Sequence, residues 1–338
     1  MRNLACIVLI LVTITNRGTN IANAEEEVVE VELEWNWEAG VPHYPHPKYS
    51  DDDEVLFFPR IIGGTPAFHG EFLAKISLQT RRGHHFCGGS IIDLRHVLTA
   101  AHCLTELDGR VIHPNDIRLM GDDLSIDSRG ARTRQIRFAT HIFAYPNYHA
   151  LTLENDIAVV RVSVAFHQTP TLQPMPRSRM TPNPNEVCQL AGWGVIHEDR
   201  NRPHPVLLRV ELDVISMDFC NGTSSYNGLI PANTICAGTM DGSRDACFGD
   251  SGGGLICSNQ IAGVVSFGFG CGRRNFPGIY ADVSRYNVWI NECIDSNLPH
   301  EDIPRPPIIS NSAGKFYLHT KYLLVMIAAA VWMIFNKV

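Results

Sequence analysis

Three short segments hold side chains suited to acyl transfer. Gly249-Asp250-Ser251-Gly252-Gly253 sets a hydroxyl among glycines, which let the backbone turn tightly enough for the amides of Gly249 and Ser251 to face one point. Thr99-Ala100-Ala101-His102-Cys103 offers an imidazole fixed beside a cysteine, and Asn155-Asp156-Ile157-Ala158 offers a carboxylate entering an apolar strand. A serine attacks a carbonyl well only when a base takes its proton, another group orients that base, and N–H donors meet the developing oxyanion. Each role has a candidate here. Singly, each segment is a weak signal, because a lone His or Asp is more often structural and a glycine-rich loop around a serine is more often only a loop.

The elements that must position these groups read as strands. From Ile61 onward, short β-branched runs at residues 74–79, 90–98, 156–164, 207–215 and 260–266 are separated by Gly, Pro and Asn turns. Many short strands without helices between them predict an all-β barrel or sandwich. Residues 283–293 read as the one sizeable helix, placed last.

In the order His102, Asp156, Ser251, these motifs resemble the chymotrypsin/trypsin family of serine proteases, over a stretch running from Ile61 to about Ile294. The resemblance implies an all-β fold of two six-stranded antiparallel β-barrels with a C-terminal helix. It makes Ser251 the nucleophile, His102 the general base and then acid, and Asp156 the buried carboxylate that sets the tautomer of His102. It places the oxyanion hole at the amides of Gly249 and Ser251, and it implies that Ser266 hydrogen-bonds Asp156. Relatives that keep the fold only for binding usually lose a triad residue, and none is lost here.

Phe58-Pro59-Arg60 followed by Ile61-Ile62-Gly63-Gly64 resembles the family's activation junction. The resemblance implies cleavage after Arg60 by an upstream protease, freeing the Ile61 α-amino group to pair with Asp250 and order the oxyanion loop. Asp245, six residues before Ser251, matches the acid at the pocket base of trypsin-like members. It implies protein or peptide substrates with Arg or Lys before the scissile bond. Gly268 and Gly278 match the glycines that keep that pocket wide. Ala246 stands where many trypsins carry a Ser, which implies a modest preference for Arg over Lys. Phe248 and Phe267 replace a commoner Gln and Trp beside the cleft, and Gly254 replaces a common Pro. Pro277, in place of a Tyr, implies no sodium dependence. The resemblance further implies proteinaceous inhibitors and the disulfides Cys87–Cys103, Cys188–Cys257, Cys220–Cys236 and Cys247–Cys271.

The flanking segments point to the secretory pathway. Arg2, an apolar run from Leu4 to Ile14 and Ala22-Asn23-Ala24 form a signal peptide over 1–24, too short in its apolar part to span a membrane. An oxidising compartment suits the cysteines. There are ten, and loss of Cys6 with the signal leaves nine, so one, Cys293, stays unpaired as a free thiol or links to a second chain. Residues 25–60 are acidic, carry no cysteine and show no periodic apolar face, which predicts a disordered pro-peptide that no disulfide retains after cleavage. The catalytic domain spans 61–297, and a Pro-rich linker spans 298–314.

The tail, 315–338, ends in an apolar run from Leu323 to Phe335 that would rise only about 20 Å as a helix, against a hydrocarbon core of about 30 Å. Small residues at 310–314, a polar spacer and a short apolar tail fit a glycosylphosphatidylinositol attachment signal, with Asn311 or Ser312 as acceptor. A short span stretched by Lys321 and Lys337, or a tail with no anchoring role, are the alternatives. The expectation is an extracellular, cell-surface protein.

Asn221-Gly222-Thr223 is a glycosylation sequon in an expected surface loop. No HExxH or comparable spacing argues for a metal, and no cofactor is implied. The acids Asp122, Asp123 and Asp127 read as a solvated cluster rather than a calcium loop. A formal charge of −7 without a basic stripe argues against a nucleic-acid partner.

Overall fold

A computed structural model describes residues 62–106, 108–127, 130–195 and 202–296. The signal peptide, the pro-peptide, Arg60, Ile61, the Pro-rich linker and the tail lie outside the described residues, so those readings stay expectations. Among the described residues, no helix is long and apolar enough to cross a membrane.

Two closed antiparallel barrels make up the structure. The first joins β2 (Lys75–Thr80), β3 (His85–Asp93), β4 (His96–Thr99), β5 (Ile117–Gly121), β6 (Gln135–Ala144) and β7 (Ala158–Val162), in the order β2-β3-β4-β7-β6-β5. The second joins β8 (Val187–Gly192), β9 (Leu208–Ile215), β10 (Thr234–Gly238), β11 (Gly254–Cys257), β12 (Gln260–Phe267) and β13 (Gly278–Asp282). Pairing of β8 with β9 closes it, and the two-residue β1 (Thr65–Pro66) adds to the outside of β9. Closure removes exposed sheet edges.

Where the sequence suggested one strand over 90–98, the chain folds back as β3 and β4. Asp93 causes the reversal. Its carboxylate accepts from the backbone of Arg95 at 2.7 Å and of His96 at 2.9 Å, so a local side-chain turn outcompetes continued pairing. The final helix α2 (Asn287–Asp295) starts later than expected, because Asp282 caps a separate 3-10 turn at Val283–Arg285 by accepting from the Ser284 amide. A one-turn helix α1 (Met217–Cys220) opens on Ser216, whose hydroxyl accepts from Phe219 N.

Alternation along the strands fills each barrel. Ile76, Leu78, Leu119, Val160 and Phe166 crowd the first interior, while Leu190, Leu212, Ile235, Leu255 and Tyr280 crowd the second. A third cluster joins them: Leu98, Ile157 and Val159 of the first barrel meet Ile261 and Val264 of the second, with Ile290 of α2 sealing the contact. Disulfides join Cys87 to Cys103, Cys188 to Cys257, Cys220 to Cys236 and Cys247 to Cys271. Of the acids expected to be solvated, Asp127 is exposed, but Asp122 and Asp123 are engaged by the protein. Asp123 pairs with Arg134 at 2.8 Å, and Asp122 accepts from Thr169 and Thr171. Asn221 is half-buried, and its Oδ1 accepts from Ile230 N.

Cys293 is a free, buried thiol on the inner face of α2, and burial pushes it up to about 12. A thiol held protonated and out of solvent is inert. A maleimide should therefore label Cys293 only after the domain is unfolded, as read by peptide mapping. Labelling of the native protein at the pace of an exposed cysteine would contradict this packing.

Candidate active site

The catalytic candidates gather where the barrels meet. His102 follows β4, Asp156 precedes β7, and Ser251 sits in the loop leading into β11. Asp156, 1% exposed, takes three hydrogen bonds. One oxygen accepts the His102 backbone N–H at 2.8 Å; the other takes His102 Nδ1 at 2.7 Å and the Ser266 hydroxyl at 2.5 Å. With its Nδ1 bound to Asp156, His102 keeps Nε2 as its acceptor nitrogen, 3.7 Å from Cys103 Sγ. His102 and Ser251 line the same cavity, without a direct hydrogen bond between them in the substrate-free chain. Catalytic contacts of this kind commonly tighten only with substrate bound.

The loop carrying Ser251 is fixed by its own backbone. Gly88 N donates to Ser251 O at 2.7 Å, Gly252 N to Val265 O at 2.8 Å, and Gly253 N to Asp250 O at 2.9 Å. Gly252 has a φ of +78°, and a Cβ there would lie 2.2 Å from Thr99 Oγ1, so no other residue fits. Among the described residues, the amides of Gly249 and Ser251 find no acceptor. Backbone donors left open beside a serine are what a developing oxyanion requires.

Under this loop lies the Asp250 carboxylate, fully buried. Its oxygens accept from the amides of Gly194 at 2.9 Å and Cys247 at 3.0 Å. Burial pushes its carboxyl up, and those amides together with the Lys75 charge pull it back. His85 braces the loop from the other side. Its Nε2 donates to Gly249 O at 2.9 Å, which leaves Nδ1 to accept from Ser77 Oγ at 2.8 Å. Burial pushes His85 down to about 4, so the ring stays neutral in this role. Neither Lys75 nor His85 was singled out from the sequence. Lys75 falls on the polar side of the alternation Lys75-Ile76-Ser77-Leu78-Gln79, which reads as solvent-facing, so the sequence offered no signal for it; His85, two residues from Cys87, offered none either.

A cavity of about 660 Å³ opens beside Ser251. Asp245, 3% exposed, stands within it, its oxygens accepting from Ala246 N and Gly272 N at 2.8 Å each. Burial pushes this carboxyl up to about 7, against the pull of those amides. Ala246 and Gly268 line the walls, and a Cβ on Gly278 would sit 3.1 Å from Asp245 Oδ1, covering the carboxylate. The rim is aromatic. Phe248 is 59% exposed, and Phe267 packs edge-on against Tyr226. An anion at the end of an apolar slot favours a long cationic side chain.

Ile62 connects this pocket to the start of the domain. Its carbonyl accepts from Asp245 N, and its side chain packs on Val195, Cys247 and Cys271.

The geometry agrees with comparison to known proteins. The trypsin family model matches residues 61–290. A trypsin of Xenopus laevis is 32% identical over 251 residues, covering 74% of this chain and 94% of the relative. A trypsin of Sus scrofa is 32% identical over 249 residues, covering 73% and 99% respectively, and trypsin-3 of Salmo salar is 32% identical over 238 residues, covering 70% and 94%. The chain therefore belongs to the trypsin family of serine endopeptidases.

Proposed function

We propose that this endopeptidase is an extracellular enzyme made as a precursor, activated by cleavage after Arg60, and selective for peptide bonds that follow Arg and, less strongly, Lys. The observation that carries this reading is a cavity lined by His102, Ser251 and Ser266, which Asp156 joins by hydrogen bonds to His102 and Ser266, and also by the buried Asp245.

The substrate's cationic side chain enters the cavity and pairs with Asp245, which carries the carbonyl of that residue to Ser251. The serine oxygen attacks while His102 Nε2 takes its proton, and Asp156 stabilises the imidazolium that forms. The amides of Gly249 and Ser251 receive the oxyanion. Collapse expels the amine, protonated by His102, and leaves an acyl-enzyme. Water then repeats the sequence, with His102 again as base, and releases the acid. Ala246 removes a hydroxyl that would help hold an ammonium, whereas Arg still binds Asp245 through two N–H groups.

Before cleavage, Asp250 lacks the Ile61 amine. A fully buried carboxylate with no contact cation is unfavourable by several kcal/mol, so arrival of that amine after cleavage orders the loop that Asp250 anchors. The neighbouring Ile62 already lies against the Asp245 pocket, which supports insertion of a new terminus nearby. A glycosylphosphatidylinositol anchor or a short span in the tail would confine cleavage to proteins close to the cell surface.

Cleaved enzyme assayed on matched Arg, Lys and Phe amides should prefer Arg, and Ser251→Ala should lower kcat on the order of 10⁴- to 10⁶-fold. A correctly cleaved chain with no Arg turnover would overturn the reading.

Asp245→Asn should cost about 2–5 kcal/mol of transition-state binding for the Arg substrate, roughly 30- to several-thousand-fold in kcat/KM. Asp245 must ionise to bind a cation, and its carboxyl sits near 7 in the free enzyme. Affinity for an aryl amidine should therefore fall about tenfold per pH unit as pH drops below that point, and the slope should vanish in Asp245→Asn. Flat amidine binding between about pH 5 and 8, an interval that lies above the ordinary carboxyl range and brackets the raised Asp245 value, would place the cation elsewhere.

A further inference from the structure

Lys75 is a buried charge that the acyl-transfer chemistry leaves unused. It opens β2, is 9% exposed, and its ammonium has no hydrogen-bond partner among the described residues. An unpaired ammonium in the interior is costly. Burial pushes Lys75 down to about 8, and the Asp250 carboxylate opposes that fall.

The ammonium sits against the nucleophile loop. It lies 5.7 Å from the centre of the Trp193 ring, and a methyl group on either Gly88 or Gly253 would come within 2.8 Å of it. Those two glycines bracket the loop: Gly88 N holds Ser251 O, and Gly253 N holds Asp250 O. Other charged groups nearby are already matched. Asp122 and Asp123, which border a small crevice with Lys75 and His69, are taken by Thr169, Thr171 and Arg134. His69 lies 3.5 Å from Asp122, and His85 is neutral. Asp250 has only amides at contact distance. Lys75 and Asp250 are thus complementary charges, each without an ion pair of its own among the described residues.

We propose that Lys75 is a positioning residue: its ammonium stabilises ionised Asp250 before Arg60 is cut, so that a fraction of uncut chains already holds the Ser251 loop and the Asp245 pocket in working order. The inference rests on the protease reading and adds to it a precursor with activity of its own. The Ile61 amine, once freed, supplies a second cation for Asp250 and takes over most of this role. The mechanism is a population shift, in which a charge that favours the ordered loop raises its share among uncut chains.

The test uses the full chain made uncleavable by Arg60→Gln, alone and combined with Lys75→Met, Lys75→Gln or Lys75→Arg, beside cleaved chains with and without Lys75→Met. The readouts are the rate of Ser251 labelling by a fluorophosphonate and the binding of a fluorescent aryl amidine. Lys75→Met and Lys75→Gln should each lower precursor labelling about 5- to 150-fold, the range of a typical coupling between sites. Lys75→Arg should restore the larger part, and the loss in the cleaved chain should be much smaller. Lys75→Gln keeps a polar side chain of similar reach, so the comparison survives a folding failure of Lys75→Met. Equal labelling of all uncut chains, or an equal loss in cut and uncut chains, would overturn the proposal while leaving the protease reading intact. Failure of the cleaved wild-type chain to label would overturn both.

Discussion

A carboxylate out of contact with water must collect its hydrogen bonds from the protein, and Asp156 collects them from both barrels. The backbone and ring of His102 come from the first barrel, and the Ser266 hydroxyl comes from β12 of the second. The candidate catalytic histidine is therefore oriented only where the barrels are docked. The apolar cluster of Leu98, Ile157, Val159, Ile261 and Val264 surrounds the same junction and supplies the non-directional part of that docking. Fixed geometry matters because an imidazole turned away from its serine cannot take the proton, whatever its basicity.

The serine loop obeys a second constraint of the same kind. Asp250 turns inward beneath it, which aims the neighbouring backbone amides at the cleft but leaves a buried charge. Glycines at 192 and 194 make that approach possible, since a Cβ at either would strike the carboxylate. His85 holds the outer carbonyl at Gly249, and Lys75 lies below. The loop's order is thus tied to how well one interior charge is balanced, the kind of dependence that the proposed activation after Arg60 would use.

The cavity beside Ser251 holds a raised carboxyl rather than a permanently charged one. Burial disfavours the ionised form of Asp245, and the amides of Gly272 and Ala246 only partly compensate. Under the proposed Arg/Lys specificity, a substrate cation would complete the balance, and part of the interaction would be realised only when a cationic residue enters. The aromatic rim at Phe248 and Phe267 offers apolar surface to flanking residues without competing for that charge.

The sequence by itself determined the local chemistry and the fold class. The motif around Ser251, the order of His102, Asp156 and Ser251, and several of the short β-branched runs were legible, because turn glycines and strand composition are written in adjacent residues, whereas the division into two barrels came from the family resemblance. It did not determine the hairpin at Asp93 or the late start of α2, where side-chain caps override the apolar pattern. Nor did it show that Asp123 is bound by Arg134 rather than by water, since residues eleven apart meet only through the barrel. Only the tertiary structure decided that Lys75 shares the interior with Asp250 and that His85 grips Gly249. Those groups lie more than 160 residues apart in the chain, and interior electrostatics depend on distance and burial, which no short window of sequence encodes.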